Sequence, residues 1–407
     1  MPDTRQPYQP PSQPTQPWRD EADQILAAAD QERILEEAKR AEMMARVAKA
    51  RWAIASLHHQ LQNGNRMNFD KWSFQKEIFQ CDLQHVRLVG STGWGKTEYS
   101  ICNMLAMAFC GLRVIHVIEK YTKRNNFVGG ELNPRLGKVA WYAEMIEYAK
   151  SVQQQAVNST SFKHFGSGYV NFIGSQSEGD FTGYRADCVQ VDDHQDCNQE
   201  NLRMAFDRMN GSPYAFTCFI GNPRQVGTEE NQNIDWEYKQ SDQREWHVPC
   251  PYCREFQILD WWSHFVEEKK NKFGAITSVE IRDKERRQRG ILEYRPLCTN
   301  CQMPMDRLSR QGKWVKLAPS NKLVAGFRKS NLVVPTTKMW ELFDHYRKGL
   351  HDPGAMAKFV NNQLGMPYSA SGSGIDDAML QSASTGQACK MPAYRLIPAE
   401  SMQWRSL

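Results

Sequence analysis

Residues 90–97 read Gly-Ser-Thr-Gly-Trp-Gly-Lys-Thr and fit G-x-x-x-x-G-K-[ST] at every position. They follow the apolar run HVRLVG (85–90) and open a helical stretch, the strand–loop–helix setting that gives this motif its meaning. Glycines let such a loop curl until the backbone N–H groups of Gly90, Ser91, Thr92, Gly93, Trp94 and Gly95 face phosphate oxygens. The N-terminal end of the following helix adds positive potential. In that setting Lys96 bridges the β- and γ-phosphates of ATP and Thr97 ligates Mg²⁺.

A phosphate loop of this kind needs an acidic partner at the tip of a neighbouring strand. Cys188-Val-Gln-Val-Asp192-Asp193 supplies one: a β-rich run ending in two carboxylates. Asp192 is placed to hold Mg²⁺ through water, and Asp193 to orient or deprotonate the attacking water. Many motors carry Glu at the second position, and Asp is one methylene shorter. A solvated strand end is the plain alternative. The run AFTCFIGN (215–222) leads into Gly221-Asn222-Pro223, which on spacing alone is a turn.

A second chemistry comes from cysteine. Cys250-Pro-Tyr-Cys253 and Cys298-Thr-Asn-Cys301 are two CxxC knuckles with 44 residues between Cys253 and Cys298. Four thiolates so arranged suit a closed, structural, tetrahedral Zn²⁺ site. The other readings are a redox CxxC pair or unrelated core cysteines. Between the knuckles lie Trp261, Trp262, Lys269, Lys270 and Lys272, then the charged run Arg282 to Arg289. Basic charge beside aromatic rings can follow a DNA backbone, and can equally be a solvated helix face.

The elements that must position these residues follow from pattern. After about residue 66, short β-branched runs (85–90, 113–119, 169–174, 188–193, 215–222) alternate with amphipathic stretches such as 136–154. That predicts an α/β fold: a mostly parallel sheet with helices on both faces, spanning an ATPase core at 66–245. From 246 to 316 the pattern breaks into the zinc-ribbon insertion. It resumes over 317–367 with a strand near 325–334 and helices near 337–349 and 354–364. Upstream, 18–65 reads as a helical arm, free of Pro and Gly from about Asp20 to Asn63. Ile34, Ala38, Ala41, Ala45, Ala48, Trp52 and Ala55 form its expected packing stripe, with Arg33, Glu36, Glu37, Arg40 and Arg51 off it. That stripe suits either the chain's own domain or a partner. Residues 1–17 read as a disordered leader and 368–407 as a tail or linker.

Bulk properties set the outer limits. The 407 residues allow two or three domains, and 41% apolar with 24% charged residues is ordinary for a soluble chain. No apolar run approaches the ~18 residues of a membrane span, and the Pro/Gln-rich start lacks the apolar core of a signal peptide, so a cytoplasmic setting is expected. A net charge of +5, from 51 basic and 46 acidic side chains, permits a polyanionic partner without demanding one. Seven of the eleven cysteines are scattered, mostly in apolar runs (Cys102, Cys110, Cys188, Cys218), as small buried side chains in a reducing compartment.

Together the motifs resemble the large terminase subunits of tailed phages, in the lambda-like branch with a zinc-binding insertion, over roughly residues 66–367. The likeness rests on Phe74-Gln75, about 20 residues before Lys96, where such motors place an adenine-recognising Gln. It rests also on Gly174-Ser175 through Phe181-Thr-Gly-Tyr-Arg185-Ala-Asp187, and on Asn222-Pro223 at the coupling motif. Trp246-His-Val-Pro-Cys-Pro-Tyr-Cys253 and Phe359-Val-Asn-Asn-Gln-Leu-Gly365-Met-Pro367 complete it. The resemblance implies a P-loop NTPase of the ASCE type, with Gln75 on adenine and Asn222 sensing the γ-phosphate. It implies a homo-oligomeric ring on a procapsid portal in the host cytoplasm, pumping double-stranded DNA, with a small terminase subunit engaged through residues 20–62. Arg124, Arg135 or Arg185 would serve as arginine finger, since the loop itself carries none.

The family's C-terminal nuclease is expected to be missing here: 40 residues follow Pro367, and their acids are Asp376, Asp377 and Glu400. Two other functions compete. A helicase-like or repair translocase would share the loop and Asp192 but needs a second ATPase-like domain. A non-catalytic zinc-ribbon DNA-binding protein would not need Lys96, Thr97 and Asp192 intact.

Overall fold

The computed structural model describes residues 17–152, 156–272 and 276–368, so nearly all of the expected leader and tail lies outside the described residues. In chain order the strands are β1 (His85–Gly90), β2 (Arg113–Ile118), β3 (Phe162–Phe165), β4 (Gly168–Gly174), β5 (Cys188–Val191) and β6 (Phe216–Gly221). They continue as β7 (Arg244–Pro249), β8 (Phe256–Ile258), β9 (Val266–Lys270), β10 (Ile276–Ile281), β11 (Lys313–Lys316) and β12 (Val324–Lys329).

Ten of these form one sheet, ordered β11-β7-β12-β1-β6-β5-β2-β4-β3, with β8 on β7. The run from β7 to β4 is parallel, and β11, β8 and β3 join antiparallel at the margins. A parallel sheet covered on both faces needs continuous apolar strands, not alternating ones. β1 is buried from Val86 onward, and β5 and β6 are buried throughout. β3, which hydropathy did not flag, is short and alternates in burial because it lies at the edge.

The helix Lys96–Phe109 covers one face with a continuous buried run from Tyr99 to Ala108. On the other face Leu202, Ala205, Ile234 and Tyr238, from the helices Gln199–Asp207 and Ile234–Lys239, pack on Val89, Val117, Val189 and Phe219. Each of these two helices is started by an Asn, Asn198 and Asn233, whose side chain accepts two N–H groups of the first turn. β1 lies near the middle of the sheet, β5 two strands away with β6 between them. Their carboxyl ends open on one crevice, the usual location for ligands in such sheets.

The N-terminal arm differs from its expected form. The helix runs Pro17–Ala53 and continues as a wider π turn to His58, instead of ending at Asn63. Its docked face is Met44, Val47, Ala48, Arg51, Ile54 and Ala55, while Ile34, Ala38, Ala41 and Ala45 are exposed. The expected stripe was built from small apolar residues and left Arg51 out. The arginine is in fact fully buried because it finds acceptors inside: Nε donates to Phe79 O at 2.8 Å, Nη1 to Asn103 Oδ1 at 2.7 Å, and Nη2 to Cys81 O. A guanidinium can sit on an apolar face when its donors are used there.

Smaller differences have local causes. The stretch 136–154 is two helices, Asn133–Lys138 and Ala140–Val152, broken at Val139, whose φ/ψ is extended. The strand expected over 325–334 stops at Lys329 and turns into a short 3₁₀ segment, Asn331–Val333. The roots of the cysteine-rich region, β7 and β11, pair with each other and belong to the main sheet, whereas β9 and β10 form a separate hairpin.

Candidate functional site

The loop Gly90–Thr97 crosses from β1 into the helix Lys96–Phe109 with Gly90, Gly93 and Gly95 at φ of 135°, 84° and 97°. These are left-handed conformations that L side chains resist. At two of them space is also denied: a Cβ on Gly90 would overlap the Lys329 carbonyl, and one on Gly95 the Gln75 amide. The first two amides after Gly90 are already used, Ser91 N–H on Lys329 O and Thr92 N–H on Asn362 O, both at 2.9 Å. Among the described residues no acceptor takes the N–H groups of Gly93 through Thr97. The donors left open to an anion therefore lie in the second half of the loop. The Trp94 ring is buried beside Phe74, with Lys96 Nζ 5.5 Å from its centroid.

Lys96 Nζ donates to Ser91 O at 2.5 Å, Gly90 O at 3.2 Å and Asn222 Oδ1 at 2.6 Å. Burial lowers its ammonium to about 8, against the pull of Asp193 and Asp192. Asp192 continues β5, its N–H on Val117 O at 2.9 Å. Burial pushes its carboxyl up to about 7, helped by the charge of Asp193 and opposed by the Asp193 N–H and Lys96. A carboxyl so destabilised as an anion gains most from a cation placed beside it.

Asp193 turns the chain with φ 49° and lies half-exposed, with Lys123 Nζ at 3.9 Å. That ammonium also sits 2.5 Å from Glu119 and 4.0 Å from Asp196. Asn222, at the end of β6, donates its N–H to Gln195 Oε1 at 2.9 Å. Asn222 thus connects Lys96 to the segment that follows the two aspartates.

These groups line a cleft of about 540 Å³, with Gln75, Thr92, Gly93, Gly95, Lys96, Thr97, Asp192, Asp193 and Asn222 on its wall. Gln75 is buried and spends Nε2 on Trp94 O at 2.8 Å. Leu61, Met67, Asn68, Trp72, Thr336 and Glu98 line it too and were missed from sequence. Glu98 had a signal: it directly follows Thr97. It accepts His59 Nε2 at 2.6 Å and Arg135 Nη2 at 2.5 Å, and these bonds overcome burial to hold its carboxyl below the usual range. Met67 and Trp72 lie in a non-repetitive segment that periodicity cannot read.

Of the three arginines considered as fingers, Arg135 is tied to Glu98 and Glu131, and Arg124 is buried over the Tyr121 ring. Arg185 is exposed. Arg224, which sequence did not single out, bonds Asp196 at 2.6 Å. Ser175 accepts Asn198 N–H and donates to Glu119 O at 2.7 Å, so the Gly174–Asp187 landmark braces strand ends. The Phe359–Pro367 landmark backs the phosphate loop: Asn362 O holds Thr92, and Gly365, at φ 70°, has no room for a Cβ beside Ser91 N.

The four cysteines converge. Cys250 and Cys301 Sγ are 3.6 Å apart, as are Cys253 and Cys298, and all four lie within 4.8 Å of one another. Tetrahedral Zn–S bonds of ~2.3 Å require S···S separations near ~3.8 Å, so the set fits zinc. The two knuckles are geometric twins. Arg254 and Gln302, each following its second cysteine, have φ of 64° and 60°. Their N–H groups bond Cys250 O and Cys298 O, both at 3.0 Å. Trp261, grouped from sequence with the basic residues, is buried against Phe265, Tyr346 and Phe359 and offers no ring to a nucleic acid. Part of the basic run is paired internally, as in Lys269–Glu280, Arg287–Glu280 and Arg289–Glu285.

Residues 63–314 match the model of the family described as phage terminase large subunit gpA, ATPase domain. The chain belongs to this family. It therefore carries a phage large-terminase ATPase domain of mixed α/β, mostly parallel fold. Among solved structures it is similar to the large terminase ATPase domain of Thermus phage P74-26 at 10% identity and TM-score 0.39, covering 74% of this chain and 95% of that one. It is similar to the HK97 bacteriophage large terminase at 10% identity and TM-score 0.35, covering 43% of this chain and 37% of that one. A third is the large terminase of a thermophilic bacteriophage in complex with ADP, at 13% identity and TM-score 0.26, with 35% of each chain covered. The terminase chain thus spans well under two thirds of the HK97 enzyme and of this thermophilic one. No curated protein matches it. Among the described residues no helix is long and apolar enough to cross a membrane.

Proposed function

We propose that this terminase chain is an ATP-driven motor that moves double-stranded viral DNA into a procapsid in the host cytoplasm. The observation that carries the proposal is the junction at Lys96. One cleft holds a phosphate loop with free N–H groups, a lysine bonded to Asn222, and the paired carboxylates Asp192 and Asp193. In this reading Lys96 and the N–H groups of Gly93–Thr97 hold the β- and γ-phosphates. Thr97 and Asp192 hold Mg²⁺, which neutralises charge on the phosphates. Asp193 orients the attacking water, Gln75 reads adenine, and Asn222 passes loss of the γ-phosphate through Gln195 to the strand end. Cys250, Cys253, Cys298 and Cys301 hold a structural Zn²⁺.

The partners proposed from family membership are a small terminase subunit on the N-terminal arm, the portal, and further copies of the chain in a ring. The test is ATP turnover with and without linear duplex DNA and procapsids carrying portal. Stimulation by both supports a packaging motor. Stimulation by DNA but never by procapsids would indicate a free translocase, and DNA binding without turnover would indicate a binding module.

A further inference from the structure

Lys329, the last residue of β12, is fully buried, and its ammonium nitrogen has no hydrogen-bond partner. It lies in a cage of three rings: Nζ is 3.6 Å from the Phe74 centroid, 5.1 Å from Trp246 and 5.7 Å from Trp314. Burial holds this amine well below the ordinary lysine range. The Lys329 amine is a buried polar group without a hydrogen-bond partner, which costs stability relative to an apolar side chain of the same shape.

The cage has three attachments. On one side its backbone seats the phosphate loop: Lys329 O accepts Ser91 N–H, and Gly90 and Gly365 both lack room for a Cβ because of that carbonyl. On another, Phe74 precedes Gln75, whose amide holds Trp94 O inside the loop. On the third, Trp246 and Trp314 face each other in the β7–β11 register, and Trp314 Nε1 donates to Phe74 O at 2.8 Å. β7 runs into Cys250, so the strands that root the cysteine knuckles touch the segment bearing Phe74 and Gln75 directly.

We propose that Lys329 is a positioning residue for the nucleotide: by filling the cage of Phe74, Trp246 and Trp314 it fixes where Gln75 meets the base and ties the cysteine-bearing segment to the ATP cleft. This rests on the reading of the cleft as an ATP site. With Gln75 Nε2 spent on Trp94 O, the remaining amide oxygen is an acceptor. An acceptor favours a base that presents an exocyclic amine and disfavours one that presents a carbonyl. Its placement depends on Phe74, and Phe74 is held by the cage.

The test uses the full chain with four readouts: KM and kcat for ATP, the ATP-to-GTP preference, zinc content, and the melting midpoint. Lys329→Ala is expected to raise KM for ATP about tenfold and to erode the ATP-to-GTP preference by a similar factor, with kcat near wild type and zinc retained. Lys329→Met, which refills the cage, should restore most of both. Trp314→Phe keeps an aromatic ring but removes the donor to Phe74 O, and should reproduce the loss of preference should Lys329→Ala not fold. A variant with a lower melting midpoint but wild-type KM and base preference would overturn the inference, leaving a structural lysine. Absence of nucleotide binding in the wild-type chain would remove the ATP-site reading and this inference with it. Wild-type binding with unaltered variants removes the inference alone.

Discussion

Replacing Arg51 by Met tests how the N-terminal arm is anchored. Methionine keeps an unbranched stem of similar reach, so packing is largely retained and the three donations are lost. The acceptors left behind are Phe79 O, Cys81 O and Asn103 Oδ1, all in the interior. A buried group stripped of its partner costs ~1–3 kcal/mol, and a charge-assisted bond lies toward the upper end. The guanidinium also sits 5.1 Å from the Tyr99 ring, a contact of about 1 kcal/mol. Against these stands the relief of no longer burying a cation, so a net loss of ~3–5 kcal/mol is expected. That is a large share of the ~5–15 kcal/mol of a whole domain.

The effect should also travel. Asn103 donates to Gln190 Oε1 at 2.7 Å, and Gln190 donates to Ser100 Oγ at 2.8 Å, so Arg51 is joined to the strand that ends at Asp192. Urea denaturation followed by circular dichroism, together with thermal melting, measures the loss. A drop in the melting midpoint of at least about 5 °C is expected. A change below about 1 kcal/mol would refute the reasoning, because the three acceptors would then have found water or other donors at little cost.

Other outcomes follow from the cleft and the cysteine cluster. Asp193→Asn should bind ATP and Mg²⁺ but hydrolyse ATP at least about 100-fold more slowly. Lost nucleotide affinity in calorimetry would assign Asp193 to the metal instead. Gly95→Ala places a Cβ where φ is 97° and the Gln75 amide already sits, so ATP affinity should fall and about 1–2 kcal/mol of stability be lost. Unchanged affinity would mean the loop is more pliable than its contacts imply. Elemental analysis should find one Zn²⁺ per chain, and Cys298→Ser should lose it and open 246–316 to protease. A metal-free wild-type chain that resists protease would contradict the zinc assignment.

The sequence was most informative where chemistry is local. The phosphate loop, the carboxylates after β5 and the two knuckles are each contiguous, with residue types dictated by the ligand, and the structure brings each set together. The central strands were legible because burial on both faces writes an unbroken apolar run. Legibility failed where a residue's place depends on distant partners. Arg51 was left off the packing stripe because nothing near it in sequence shows the carbonyls of Phe79 and Cys81. Trp261 was grouped with basic neighbours, although its ring packs on Phe359, far along the chain. The Phe359–Pro367 stretch was placed in the returning part of the ATPase domain, but its contact with the phosphate loop through Asn362 O and Gly365 had no sequence signal. The Lys329 cage joins positions 74, 246, 314 and 329, a set without any periodic signature.

The central claim is that the cleft around Lys96 hydrolyses ATP under the control of DNA. The most direct measurement is steady-state ATP turnover by the wild-type chain and by Lys96→Ala, each with and without linear duplex DNA, with folding checked by circular dichroism. The wild type should turn over ATP faster when DNA is present. The variant, folded and with zinc retained, should lose at least about 100-fold in turnover, because the cation that neutralises the β- and γ-phosphates is gone. Turnover by Lys96→Ala near the wild-type rate would contradict the account.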